Sequence, residues 1–157
     1  MSTGAIHHSI YLSYHLYALL KNIASYNQVY REAGAVHGCA LCKGPEILHF
    51  VEDIGRHNAT DAIAGEMWLE DIKGNDKWFY TTGRLTSEIV VKVASMGIPV
   101  LLSRSGITHM GFELAEQFGV TLIARAKGHH FLVYSGNNNL IYDEIPKRRR
   151  ETDTINS

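Results

Sequence analysis

The sequence predicts an α/β fold in which a mixed, mostly parallel sheet lies between layers of helices. Short apolar runs alternate with segments of helical periodicity along most of the 157 residues, an order typical of βα units. Glycine or a potential helix-capping residue separates most of these segments. A hydrophobic content of 45% suffices for one core. We therefore expect a single domain over residues 1–146 and a polar, disordered tail over 147–157.

The first half of the chain predicts a helix, a hairpin and a second helix. Apolar residues recur at near-helical spacing from 9 to 31, without glycine or proline, which predicts an amphipathic helix. The apolar runs AVHGCALC (35–42) and EILHFVED (46–53) are separated by a lysine, a glycine and a proline, a pattern that predicts a hairpin. After the loop IGRHN, Asn58 is the expected N-cap of a helix that runs to Leu69.

The second half of the chain repeats strand and helix in shorter units. The predicted strands are KWFYTT (77–82), IPVLLS (98–103) and VTLIA (120–124). Thr86 and Thr108 each stand just before a segment of helical periodicity, so we expect them to cap the two helices between these strands. Strands that alternate with helices in this way favour parallel pairing with right-handed crossovers.

The end of the chain predicts one more pair of strands. HHFLVYS (129–135) and NLIYDE (139–144) are separated by a glycine and asparagines, which indicates a weaker terminal hairpin. The full order of a helix, a hairpin and then βα units matches a cytidine-deaminase-like architecture. The predicted fold is therefore a three-layer, cytidine-deaminase-like α/β domain.

The charge and the hydropathy of the chain exclude several classes of partner. The net charge is −1 and the sequence pI is about 6.7, so nothing favours nucleic acid or a membrane surface. No apolar run reaches the roughly 18 residues that a membrane span needs. The N-terminus MSTGAIHHS lacks the order of a signal peptide. Because two cysteines do not make a disulfide scaffold, we expect a cytoplasmic protein.

Cys39 and Cys42 form a C-x-x-C pair that could be a redox dithiol, half of a zinc site or a sulfur carrier. If they lie in a strand, their side chains point to opposite faces and their Cα atoms are roughly 10 Å apart. That distance exceeds the limit of about 7 Å for a disulfide. The zinc deaminases also require an H-x-E motif, which is missing here. We therefore expect at least one buried thiol and no metal.

Three strand-to-helix loops should open on one edge of the sheet, since the carboxyl ends of parallel strands meet there. Each loop has an arginine, a glycine and hydroxyl or amide donors just before a helix. Helix N-termini and arginine side chains both bind phosphate, so the edge suits a pyrophosphate-linked nucleotide. The candidates are Glu52, Asp53, Gly55, Arg56, His57 and Asn58 in the first loop, Thr82, Gly83, Arg84, Thr86 and Ser87 in the second, and Ser103, Arg104, Ser105 and Thr108 in the third.

Other interpretations of these loops stay open from the sequence alone. The arginines could instead form surface salt bridges with Asp53, Glu52 and Glu88. The domain could also be a plain oligomerisation module, in which the arginine loops form salt bridges between subunits. His57 beside Asp53 could act as a general base in a hydrolase or a deaminase-like enzyme. It could equally donate a hydrogen bond that only orders the loop.

The motif EDIGRHNATD (52–61) resembles the E-D-x-G-R-H-N-A-x-D-K signature of the FdhD family of formate dehydrogenase accessory proteins. AGAVH (33–37) is similar to the T-G-G-x-H segment of that family. TGRLTSEIVVKVASMGIPVLLSRS (82–105) is similar to its T-G-R-x-S-x-E…G-I-P-x-x-x-S-R-S block. The similarity extends over residues 10–136.

This resemblance implies a homodimeric domain that binds a molybdenum or tungsten bis-guanine-dinucleotide cofactor, of which GDP is a fragment. It also implies that sulfur passes from a cysteine desulfurase to this cofactor, which then enters formate dehydrogenase. The motifs carry the family's site positions to the residues named above in the three loops except Thr86, and also to Asp61 and Glu88.

The chain also departs from the family pattern. It has no C-G-x-C-G segment, which holds the sulfur-carrying cysteines of the family, and Ala62 replaces the lysine of the signature. The threonine and glycines of T-G-G-x-H are Ala33, Gly34 and Ala35. We therefore expect the C-terminal, cofactor-binding domain of such a protein, with no catalytic cysteine of its own.

Overall fold

The computed structural model describes residues 11–26, 36–127, 130–134 and 140–141, which form four helices and eight strands. The helices are α1 (Ser13–Tyr26), α2 (Arg56–Leu69), α3 (Ser87–Ser95) and α4 (His109–Phe118). The strands are β1 (Tyr11–Leu12), β2 (His37–Lys43), β3 (Glu46–Asp53), β4 (Trp78–Thr81), β5 (Val100–Ser103), β6 (Thr121–Lys127), β7 (His130–Val133) and β8 (Leu140–Ile141). None of these helices is long and apolar enough to cross a bilayer.

Six strands form one mixed sheet in the order β3-β2-β4-β5-β6-β7. The ladders β4–β5 and β5–β6 are parallel, whereas β2–β3, β2–β4 and β6–β7 are antiparallel. The predicted mixed sheet is therefore confirmed, but most of its ladders are not parallel. The reason is that β2, the first strand of the hairpin, lies between β3 and β4. Strands β3, β4, β5 and β6 still run in the same direction.

Helices cover both faces of this sheet and produce two separate cores. The first core lies under α2, α3 and α4 and includes Ile63, Val90 and Leu101. The second lies under α1, whose apolar residues follow helical spacing and pack on the opposite face; they are Leu16, Leu19, Leu20 and Ile23. Full burial of one such side chain contributes about 1.5–3 kcal/mol. Two apolar faces of one sheet therefore account for the three layers.

Cys39 and Cys42 lie in β2 as free, buried thiols on opposite faces of the sheet. Cys39 belongs to the first core and Cys42 to the second. Burial raises the pKa of both thiols, and for Cys39 the contacts with Thr81 and Thr60 offset part of that rise in pKa. The expectation of core residues without a disulfide is confirmed.

At the ends of the domain, the start of the first predicted helix and the pairing of the last two predicted strands are wrong, although the helix itself is confirmed over Ser13–Tyr26. The first helix begins at Ser13 rather than at residue 9, because Tyr11–Leu12 form β1. The terminal hairpin is also absent from the described residues, since β7 pairs with β6 while β8 pairs in parallel with β1. Apolar alternation indicates a strand but cannot identify its partner. Residues 27–31 of the predicted helix and the tail 147–157 lie outside the described residues.

The predicted caps hold for two of three helices. Thr86 and Thr108 are the N-caps of α3 and α4. Asn58 is not the N-cap of α2, which begins at Arg56 after the extended backbone of Gly55. The reason is that Asp53 Oδ1 accepts the N–H of Gly55 at 2.8 Å and turns the chain earlier than the sequence suggests.

Candidate functional site

The three loops predicted to form the site meet at one edge of the sheet, because β3, β4 and β5 all end there. The loop after β4 is held against the loop after β5 by main-chain contacts. Leu85 N–H donates to Gly106 O at 2.9 Å, and Thr108 N–H donates to Leu85 O at 3.1 Å. Leu85 and Ile107 also form a parallel bridge. These loops therefore form one continuous surface.

The start of β2 contributes a residue to this edge that the sequence analysis missed. Gly38 N–H donates to Thr82 Oγ1 at 3.0 Å, and Thr82 N–H donates to Gly38 O at 2.9 Å. Next to this pair of hydrogen bonds, His37 Nδ1 lies 3.8 Å from the position that a Cβ atom on Gly83 would take. Because β2 is antiparallel to its neighbours, it begins where they end. A hairpin inserted into the sheet is the signal that would have placed His37 here.

Buried hydroxyl groups brace the second and third loops. Thr81 Oγ1 accepts the N–H of Gly83 at 3.1 Å. Ser103 Oγ donates to Gly83 O at 2.5 Å and accepts the N–H of Ser105 at 2.9 Å. Such bonds contribute about 0.5–1.5 kcal/mol each to stability. Thr82 and Ser103 are both predicted site residues. Their buried hydrogen bonds therefore stabilise the loop backbones.

The acidic side chains of the first loop bind partners other than the arginines. Asp53 Oδ1 accepts from Gly55 N–H and, at 3.4 Å, from Asn58 Nδ2. His57 Nε2 lies 2.8 Å from a carboxylate oxygen of Glu88 on α3. Among the described residues, His57 therefore pairs with Glu88 rather than with Asp53.

Asp61, a further predicted site residue, is engaged by a lysine of the neighbouring helix. Its Oδ1 accepts from Lys92 Nζ at 2.8 Å. Both Asp61 and Glu88 are exposed, so this ion pair and the His57–Glu88 pair each contribute at most about 1 kcal/mol to stability. The two pairs fix α2 beside α3.

Within the described part of the chain, neither Arg56 nor Arg84 forms an ion pair with a carboxylate. The salt-bridge alternative for these two arginines is therefore wrong. Glu52 does not serve them, because its Oε1 is buried without a hydrogen-bond partner among the described residues. Arg104 is partly buried, and its backbone N–H donates to the backbone oxygen of Thr81 at 3.3 Å.

Arg56 and Arg84 line a narrow cleft between the N-termini of α2 and α3. The other lining residues are His57, Thr60, Thr81, Thr86 and Ile89. The cleft has a volume of about 10 Å³, which is about the space that one water molecule needs. A larger anion would therefore lie on the edge above the cleft and contact the exposed guanidinium of Arg84.

The three helices at this edge differ in how their first turns are capped. Thr108 Oγ1 accepts the N–H of Gly111 at 3.1 Å and so caps α4. In the part of the chain that the structure describes, the N-cap residues of α2 and α3 make no side-chain capping bond. Uncapped N–H groups at a helix start favour an anion. On this edge, the place that best suits an anion is therefore between α2 and α3. The predicted site residue Thr108 has a capping role, whereas Ser87 and Ser105 are partly exposed on the same edge.

Two other features of the molecule lie away from this edge. His49 on β3 places Nδ1 3.1 Å from Glu66 and Nε2 3.1 Å from Glu70, both near the C-terminal end of α2. The three side chains are close enough to share a metal ion, but both ring nitrogens of His49 already face carboxylates. A wider cavity of 520 Å³ lies between the C-terminal ends of α2 and α3, where the helix dipoles disfavour an anion.

The sequence is similar to one family of known proteins. The model of the FdhD/NarQ family matches residues 3–141. The sulfur carrier protein FdhD of Listeria monocytogenes serotype 4b (strain F2365) is 36% identical over 121 residues, which cover 77% of this chain and 46% of that protein. The sulfur carrier protein FdhD of Bacillus subtilis (strain 168) is 33% identical over 118 residues, 75% of this chain and 45% of that protein.

A solved structure is similar as well. A crystal structure described as that of a formate dehydrogenase accessory protein from Desulfotalea psychrophila superposes with a TM-score of 0.78 at 30% sequence identity. The match covers 84% of this chain and 59% of that one. The chain thus spans about half the length of the curated relatives that it matches.

Proposed function

Because this chain belongs to the FdhD/NarQ family, we propose that it binds the guanine-nucleotide part of a molybdenum or tungsten cofactor on its way to formate dehydrogenase. The bis-guanine-dinucleotide form of that cofactor is the cargo, and GDP is its smallest useful fragment. We further propose that the domain has a cytidine-deaminase-like architecture. The hairpin strand inserted beside a set of co-directional βα strands supports this assignment.

The observation that carries the proposal is the pair of arginines, Arg56 and Arg84, which have no carboxylate partner among the described residues and lie beside two uncapped helix starts. The guanidinium of Arg56 or Arg84 can grip a phosphate with two parallel N–H···O bonds. The first turns of α2 and α3 present N–H groups and a partial positive charge to the same place. A pyrophosphate carries the negative charge that such helix starts favour.

The geometry also indicates how the remaining predicted residues would serve such a ligand. The cleft is too small to enclose a phosphate, so the nucleotide would lie across the loop surface. Ser87 and Ser105 are partly exposed there and can donate hydroxyl hydrogen bonds. Asp53, Thr82 and Ser103 would act indirectly, since their side chains hold the loop backbones in place.

The sulfur step belongs, in our proposal, to groups other than the cysteines of this chain. The curated relatives are named as sulfur carriers. Sulfur transfer requires a thiolate, whereas Cys39 and Cys42 are buried and burial raises the pKa of both. We propose that this chain contributes cofactor binding, with a cysteine desulfurase as sulfur source, formate dehydrogenase as recipient, a homodimer as assembly and the cytoplasm as location.

Isothermal titration calorimetry with GDP tests the binding proposal. We expect micromolar affinity, and we expect Arg56→Ala and Arg84→Ala each to weaken binding about 10-fold or more, as loss of a charge-assisted bond implies. Lys21→Ala is the matched control, because Lys21 is an exposed cation on α1 at the opposite face. Absence of binding at millimolar GDP would contradict the proposal. Equal loss in the control would also contradict it.

A further inference from the structure

Arg125 has a backbone conformation that an arginine rarely adopts. Its φ angle is +49°, in the left-handed region that residues other than glycine and asparagine generally avoid. It lies in β6, where the ladder with β7 shifts register between Ala124 and Lys127. Ala124 pairs with Leu132, and Lys127 pairs with His130. Two residues of β6 therefore face one residue of β7, which defines a β-bulge, and glycine is the usual residue at a left-handed bulge position.

The bulge changes the direction of Arg125 relative to the sheet. Ile123 and Ala126 are three residues apart, yet both pack in the second core. Ala124 packs in the first core. With regular alternation, Arg125 would point into the second core beside Ile123. The bulge instead leaves Arg125 exposed, in keeping with the use of bulges to re-aim a side chain near a binding site.

Arg125 is directed at the third loop of the candidate site. Its N–H donates to Ser105 O at 2.9 Å, which places it level with the loop after β5. Its Nη2 atom lies 3.4 Å from the position that a Cβ atom on Gly106 would take. Within the described residues, its guanidinium has no carboxylate partner. A cation is therefore held on the binding edge in an unfavourable backbone conformation, without an ion pair to account for it.

We infer that Arg125 binds a phosphate group of the nucleotide at the third loop, which extends the anion site by one strand beyond Arg56 and Arg84. This inference rests on the proposed nucleotide-binding function. It adds a residue that no motif in the three loops includes, since Arg125 lies in the following strand. The ligand class is an inorganic or nucleotide-borne pyrophosphate, because Arg125 brings a guanidinium to the backbone of Ser105 and Gly106, and a guanidinium binds phosphate oxygens with two N–H groups.

The test is calorimetry with GDP and with inorganic pyrophosphate on the full chain and on Arg125→Gly. Glycine suits the left-handed bulge position, so we expect the variant to fold with an unchanged or higher melting temperature. We expect its affinity for both ligands to fall about 10-fold or more. Arg125→Lys keeps the charge but loses the bidentate contact, so its affinity should lie between those of the wild-type chain and Arg125→Gly. Lys21→Ala again controls for the lost charge.

Each outcome bears on a definite claim. If the wild-type chain binds neither ligand, the proposed function fails and this inference fails with it. If the wild-type chain binds but Arg125→Gly binds within twofold of it, only the role of Arg125 is overturned. If Arg125→Gly fails to fold, Arg125→Lys decides: an intermediate loss supports the inference, and unchanged affinity contradicts it.

Discussion

Gly111 shows at the scale of a single residue how closely the third loop region is packed. It lies in the first turn of α4, where a Cβ atom would collide with the carbonyl oxygen of Leu85. Gly65 lies in the middle of α2, and a Cβ atom there would meet no atom within 4 Å. Close packing therefore requires a glycine at position 111, whereas no contact requires one at position 65.

We expect Gly111→Ala to lower the free energy of unfolding by about 1–3 kcal/mol, because the backbone of Leu85 must move to make room. We expect Gly65→Ala to raise it by about 0.5–1 kcal/mol, since alanine favours the helix and meets open space. Urea unfolding of both variants measures the difference. A stabilising Gly111→Ala would show that α4 does not approach Leu85 as closely as described.

Cys39 and Cys42 give a pH dependence whose sign follows from their burial. Burial raises their pKa in the folded protein, whereas the unfolded chain ionises near the ordinary value of 9.0. Above that pH the folded state binds more protons than the unfolded state, so stability falls as the pH rises. The slope is up to about 1.4 kcal/mol per pH unit for each thiol. Below pH 9, ionisation of these thiols does not reduce the stability of the folded protein.

The measurement is urea unfolding at several pH values between neutrality and the alkaline range. We expect the wild-type chain to lose stability more steeply with rising pH than Cys42→Ala does, whatever the cost of the cavity in that variant. Equal slopes would contradict the buried, protonated state of Cys42. A native-state thiol assay at pH 8 is the second check, and rapid reaction of either cysteine would contradict the structure.

Some features at the residue scale could be predicted from the sequence and others could not. The opposite faces of Cys39 and Cys42 follow from strand alternation alone, and the position of the arginines follows from loop order. The partner of His57 does not, because Glu88 is distant in sequence and reaches it only through the packing of α3 beside α2.

At the scale of elements, the starts of α3 and α4 differ in whether a side chain caps them. Thr108→Ala removes the bond to Gly111 N–H and should cost about 1 kcal/mol of stability. Thr86→Ala should cost only a few tenths of a kcal/mol, because Thr86 makes no capping bond. Thermal unfolding followed by circular dichroism compares the two variants, with Thr108→Ser as the conservative control. A loss for Thr86→Ala as large as that for Thr108→Ala would contradict the uncapped start of α3.

The elements also show where prediction from periodicity ends. The existence of α2, α3, α4 and the main strands follows from alternation and spacing. The pairing of β8 with β1 and the bulge in β6 depend on contacts between segments that are far apart in sequence. Neither has a local signal, so the sequence alone predicts a hairpin for residues 139–144 and ends the strand of β6 at residue 124.

At the scale of the whole molecule, the common direction of β3, β4, β5 and β6 brings the candidate site residues together. Their ends bring three arginine-bearing loops and Arg125 to one edge, whereas the C-termini of α2 and α3 and the wider cavity lie at the other end. The common edge could be predicted from the alternation of strands and helices. The insertion of β2 could not, since a hairpin strand can add outside a sheet as well as inside it, and it was this insertion that brought His37 to the edge.

The most direct test of the anion site is an NMR titration that locates bound ligand on the molecule. The measurement is the ¹H–¹⁵N correlation spectrum of the chain during addition of pyrophosphate and then GDP. We expect the amide signals of residues 55–59 and 83–88 to shift first, because they belong to the uncapped starts of α2 and α3. Signals of Lys73 and Ser95, at the opposite cavity, should stay unchanged. Shifts confined to that cavity, or none at millimolar ligand, would contradict the account.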